Sequence, residues 1–196
     1  NIFNTVKIPG ISLSSANSIN IGRLIPQVVY YIYTYICLVN KGKIKYGEKI
    51  NFSVPTGNFG NILACYIAKM LGTPINHVIC ASNKNNVLTD FFKTGEYNAN
   101  RPFYVTNSPS MDILVSSNLE RLLYLMTNDK NYVKELMQSL NQNGSYKVNK
   151  DLFSELQNID ATYVDEEETK QAIKELYYNK GILIDPHTSV AYTGYL

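Results

Sequence analysis

The sequence predicts an α/β fold: a parallel sheet flanked by helices, with an added helical subdomain. Three observations predict it. Residues 49–71 read as a strand, a glycine turn and a helix. Residues 77–95 repeat strand then helix, and from Ser116 onward the helical period dominates. The expected boundaries are 1–115 for the α/β core, 116–180 for the helical subdomain and 181–196 for a return to the core.

Each element has a local reason. Ser18 to Asn40 reads as a buried helix, because Ile19, Leu24, Val28, Ile32, Tyr35 and Val39 recur near a helical period and Gly42 follows as a stop. Lys49 to Val54 alternates like a strand and runs into Pro55-Thr56-Gly57. Asn61 to Leu71 is a helix closed by Gly72-Thr73-Pro74. His77 to Ala81 is a second strand, and Asn86 to Lys93 a short helix ending at Gly95. Further helices are expected at Ser116 to Met126, Asn131 to Leu140, Lys150 to Leu156 and Asp165 to Asn179. The last has acids in its first turn and Lys180-Gly181 at its end, which matches the helix dipole. Gly181 to Asp185 reads as a short strand before Pro186-His187-Thr188 and a final apolar run.

Composition excludes several classes. The 196 residues are 45% hydrophobic and 17% charged, ordinary for a globular chain. A net charge of +2, with scattered Lys and Arg, points away from nucleic acid and anionic membranes. The longest apolar stretch, Leu24 to Val39, contains Pro26, Gln27, Thr34 and four tyrosines, too short and polar to span a bilayer. Cys37, Cys65 and Cys80 match no metal spacing and read as buried thiols in a reducing, cytoplasmic compartment. No secretory signal opens the chain. It starts at Asn1 and soon enters apolar, ordered-looking sequence, which predicts a fragment of a longer protein.

Chemistry concentrates in Pro55-Thr56-Gly57-Asn58-Phe59-Gly60-Asn61. The first N–H groups of a helix lack internal partners, and the helix dipole adds positive charge there. A glycine turn in front can hold a phosphate without a cationic side chain. It is neither a Walker loop, lacking Gly-Lys-Ser/Thr, nor a dinucleotide fingerprint, lacking the third glycine and the acid after the next strand. From the glycines alone, an empty tight turn and a cup for one terminal phosphate are equally consistent.

Val54-Pro55-Thr56 followed by Gly57-Asn58-Phe59-Gly60-Asn61 resembles the phosphate loop of threonine synthases. Upstream, Ser14 to Asn20 and Gly22-Arg23-Leu24-Ile25-Pro26-Gln27 resemble the same family. So do Ala81-Ser82-Asn83 and Asn86 to Gly95. Ser108 to Ile113, Ser116-Ser117-Asn118-Leu119-Glu120-Arg121 and Asp185-Pro186-His187-Thr188 follow in the family's order. The likeness covers nearly the whole chain. Two departures are Ile21, where many relatives have an aromatic residue, and Lys84, where a neutral or acidic residue is usual.

The resemblance implies the C-terminal portion of an enzyme dependent on pyridoxal 5′-phosphate (PLP), with the tryptophan synthase β-like fold. It implies conversion of O-phospho-L-homoserine and water to L-threonine and phosphate. The family's Schiff-base lysine sits in a Phe-Lys-Asp motif, which does not occur here. It is expected upstream, in a missing N-terminal part of the same protein, leaving this fragment inactive alone; Lys69 and Lys93 read as surface residues. By resemblance Gly57, Asn58, Phe59, Gly60 and Asn61 hold the cofactor phosphate, and the Thr188 hydroxyl faces the pyridine nitrogen. The other reading of Thr188 is a helix cap. Asn17, Ser18, Asn20 and Arg23 are candidates for the substrate phosphate, against a reading in which Asn20 caps the long helix and Arg23 pairs on its surface. His187 is either a general base or a packed residue. A serine or threonine dehydratase, a cysteine synthase and a non-catalytic module for a phosphorylated ligand remain as alternatives.

Overall fold

The computed structural model describes residues 9–10 and 19–196. Helix α1 (Ile21–Asn40) packs on α2 (Gly60–Met70), which follows strand β1 (Ile50–Pro55). Strand β2 (Ile75–Ser82), helix α3 (Val87–Thr94) and the short β3 (Glu96–Asn98) come next. After a 3-10 turn at Pro109–Met111 the chain forms α4 (Leu119–Thr127), α5 (Lys130–Asn143), β4 (Ser145–Lys147) and α6 (Lys150–Leu156). It closes with β5 (Ile159–Tyr163), α7 (Glu166–Lys180) and α8 (Pro186–Tyr195).

The main sheet is parallel in the order β1-β2-β5. Its helix-covered face carries a continuous core from Leu24 and Val28 of α1 through Leu63 and Phe91 to Leu122, Leu136 and Leu156. The helices after Ser116 share this core with the sheet. On the other face α8 presses so close that a Cβ on Gly194 would lie 2.8 Å from Thr162 Cγ2. Met111, Val164 and Val190 pack there with Ala81.

Four features differ from expectation. Helix α1 is only half buried: Leu24, Val28, Tyr31 and Tyr35 face inward, while Ile21, Ile25, Val29 and Tyr33 are exposed. The stretch 116–180 carries two strands. β4 is only three residues long and pairs with β3, too short to show a period. β5 alternates but is only five residues long; its Asp160 carboxylate is exposed beside His77 Nδ1 at 2.8 Å. Residues 181–185 form no strand. Gly181 takes φ 66° to end α7, and Ile182 N donates back to Leu176 O at 3.2 Å. Cys37 is half-buried, whereas Cys65 and Cys80 are buried. Burial pushes both of these thiols up to about 12, so they stay protonated and inert at neutral pH. Among the described residues, no helix is long and apolar enough to cross a membrane.

Candidate functional site

The turn from β1 to α2 is built by close backbone approach. Thr56 N donates to Ala81 O at 2.8 Å, extending the ladder one residue past the strand, while Thr56 Oγ1 turns back to Val54 O at 2.7 Å. A Cβ on Gly57 would lie 2.8 Å from Ser110 O and 3.0 Å from Met111 Cα, so the position requires glycine. The one positive φ of the turn falls on Phe59, at 65°, rather than on either glycine. That conformation costs a non-glycine residue roughly 1–2 kcal/mol. Burial of the ring, stacked 5.9 Å from Phe92, offsets it with about 1.5–3 kcal/mol.

Phe59 occupies the N-cap of α2, and no side chain caps that helix. Among the described residues the N–H groups of Gly57, Asn58, Phe59, Gly60 and Asn61 have no acceptor. The carbonyls are handled differently. Gly57 O accepts from Ser116 Oγ at 2.8 Å, and Asn58 O accepts from Asn118 N at 3.1 Å and Nδ2 at 2.9 Å. Tyr31 OH donates to Asn61 Oδ1 at 2.6 Å, and burial raises the Tyr31 pKa well above its ordinary value, which keeps the proton there.

A cleft of about 440 Å³ opens over the turn, a size typical of small-molecule sites. Arg23 and Gln27 of α1 line it, with Ser110 and Met111 and with His187 from α8. Among the described residues no carboxylate does, which suits an anion. The 3-10 turn is anchored by buried Asn83, whose Nδ2 donates to Asp112 Oδ1 at 2.8 Å and Ser108 Oγ at 3.0 Å. A second hollow of about 390 Å³ beside α1, α4 and α5 has a mainly apolar lining and offers no such set of amides.

At the far wall Ser110 N donates to His187 Nε2 at 3.2 Å, while His187 Nδ1 sits 3.1 Å from Asp185 Oδ1. The hydrogen-bond pattern assigns the proton to Nδ1. Asp185 is the N-cap of α8. Its pKa is held down to about 2, first by the Thr188 hydroxyl, then by the Thr188 and His187 amides and the His187 ring. The α8 cap is therefore Asp185, not Thr188.

The structure thus gathers Gly57 to Asn61 and Arg23 around one cleft. Asn20 caps α1, its side chain accepting from Gly22 N at 2.8 Å, and does not line the cleft. Thr188 is exposed, with its hydroxyl on Asp185, and is not part of the lining. Asn17 and Ser18 lie outside the described residues. Gln27 and Ser110 were not singled out from sequence as site residues; the spacing of Arg23 and Gln27, four apart on one helix face, was the available signal.

An α/β protein with a strand-to-helix turn whose amides find no acceptor among the described residues, opening on a cleft lined by no described carboxylate, has the geometry of a phosphate-loop domain. No family model matches the chain. It is 50% identical to human threonine synthase-like 1 over 185 residues, 93% of this chain and 25% of that protein. It is 38% identical to threonine synthase of Saccharomyces cerevisiae, over 91% of this chain and 37% of that protein. PLP-bound threonine synthase from Brucella melitensis superposes with a TM-score of 0.86 at 38% identity, over 92% of this chain and 38% of that one. The chain belongs to the threonine synthase family and spans between a quarter and two fifths of the length of these relatives.

Proposed function

We propose that this chain is the phosphate-gripping part of a PLP-dependent lyase that converts O-phospho-L-homoserine and water to L-threonine and phosphate. The observation that carries the reading is the set of five amides, Gly57 to Asn61, that have no acceptor among the described residues at the start of α2. Those amides suit the dianionic phosphate of PLP, which would sit against Gly57 to Asn61 with the ring over the cleft. When bound, PLP supplies an electron sink that lets protons leave the neighbouring carbons of an amino acid. Arg23, beside Gln27 on the cleft wall, is suited to a second phosphate, that of the substrate, by bidentate contact. Asn17 and Ser18 are proposed for the same substrate phosphate on the family resemblance alone, while Asn20 serves as the α1 cap. Thr188 would meet the pyridine nitrogen by exchanging its Asp185 partner for the ring. The lysine that anchors the cofactor would come from the remainder of the protein, in the reducing cytoplasm suited to three free thiols.

The experiment is turnover by the full-length protein. Release of phosphate from O-phospho-L-homoserine with equimolar threonine is expected, and absence of PLP binding would overturn the reading. Ammonia release from serine or threonine, with no threonine formed from the phosphorylated substrate, would select a dehydratase on the same cup.

A further inference from the structure

We propose that Asn118, assisted by Ser116, is the positioning residue that turns the loop amides toward the phosphate. The inference rests on the phosphate reading of the loop and adds how the loop is held. In a trans peptide the N–H points opposite to the carbonyl of the same unit, and there is no cis bond among the described residues. Ser116 Oγ holds Gly57 O at 2.8 Å, so the N–H of Asn58 is aimed away from Ser116. Asn118 holds Asn58 O twice, through N and Nδ2, so the N–H of Phe59 is aimed away from α4. These are two of the amides without an acceptor.

The holding residues are themselves held. Asn118 is fully buried, and Arg121 Nη1 donates to its Oδ1, which fixes the amide with Nδ2 toward the loop. The other arm of Arg121 donates to Ile19 O at 2.6 Å, just before the helix that carries Arg23. Ser116 N donates to the buried Tyr97 hydroxyl at 2.8 Å, and that hydroxyl donates to Leu114 O at 3.0 Å. A Cβ on Gly60 would meet only Asn118 Nδ2, at 3.5 Å. That is an ordinary van der Waals distance, so the clamp packs against the start of α2 without a clash at this position. Tyr97, Ser116, Asn118 and Arg121 do not line the cleft, so Asn118 acts through Asn58 and Phe59.

The test compares PLP with pyridoxal, which lacks the phosphate, on the full-length protein. Asn118→Asp keeps the size and the acceptor for Arg121 but sets an oxygen against Asn58 O. PLP affinity is expected to fall about tenfold or more, the scale of one lost hydrogen bond to a charged group, with pyridoxal affinity changed by less than about threefold. The ³¹P resonance of bound PLP should shift in the same variant. Ser116→Ala, a milder change, should lower the PLP-to-pyridoxal ratio in the same sense by several-fold, which keeps the proposal open to refutation where Asn118→Asp does not fold. An unchanged ratio in either folded variant, or equal weakening of both ligands, overturns the positioning role. A wild-type protein that does not prefer PLP to pyridoxal overturns the phosphate reading itself, a different result.

Discussion

Gly57 and Gly60 look alike in sequence and differ in what surrounds them. A side chain at Gly57 would strike backbone at 2.8 Å, whereas one at Gly60 makes an ordinary 3.5 Å contact with a side-chain nitrogen. Gly57→Ala should therefore destabilise the full-length protein by about 1–3 kcal/mol, since backbone has to move. Gly60→Ala should be neutral or stabilising by up to about 1 kcal/mol, because alanine favours the helix. Paired denaturant melts check this, and equal losses would contradict the separate roles. The sequence located both glycines in one strand-to-helix turn but could not separate them, because the difference lies in Ser110 and Asn118, more than fifty positions away. Nor could it show that the left-handed conformation falls on Phe59, which the ring's burial against Phe92 decides.

Among the elements, α8 shows how a helix start can be tied to pH. Asp185 caps it and titrates near 2 instead of its ordinary 3.8, chiefly through the Thr188 hydroxyl. A depressed carboxylate pKa stabilises the fold fully above the unfolded value and loses that contribution as pH falls through the folded one. Acid unfolding of wild type should thus show a slope between about pH 4 and pH 2 that Asp185→Asn reduces, the effect being modest because the carboxylate is largely exposed. Identical acid profiles for the two proteins would remove the cap from the account. Helix α1 was legible as a helix from its apolar period. Of its cleft-lining residues, Arg23 was read from the sequence as a site candidate, whereas Gln27, one turn on, was not, because the same stretch is apolar on most sides. β5 escaped notice because its alternation, Ile-Asp-Ala-Thr-Tyr, runs for only five residues between two helical patterns, although pairing with β2 makes it part of the main sheet.

At the scale of the molecule, the cleft joins residues 23, 57–61, 110 and 187, brought together only by the parallel sheet and the packing of α1 and α8 around it. The α/β class and the phosphate turn could be read from local order. The cleft's other walls could not, because they depend on contacts between distant segments. No lysine lines the cleft among the described residues; Lys69 Nζ is committed to Asn76 O at 2.8 Å and Lys93 is exposed. Borohydride added to this chain with PLP is expected to leave no single lysine preferentially modified, and peptide mapping that found one dominant adduct would contradict it. In the full-length protein the adduct should appear on a residue outside this chain.

The carbonyl ties of Gly57 and Asn58 reach across about sixty residues, to Ser116 and Asn118. Forming them closes a long loop and carries an entropic cost that local β1–α2 structure does not offset by itself. Early in folding, the peptide planes of this turn are thus free to rotate, with carbonyls as ready as amides to face solvent. On the phosphate reading, the anion cup is complete only once the distal segment has docked, so ligand capture would mark the completion of the chain's long-range assembly rather than the formation of its first supersecondary unit.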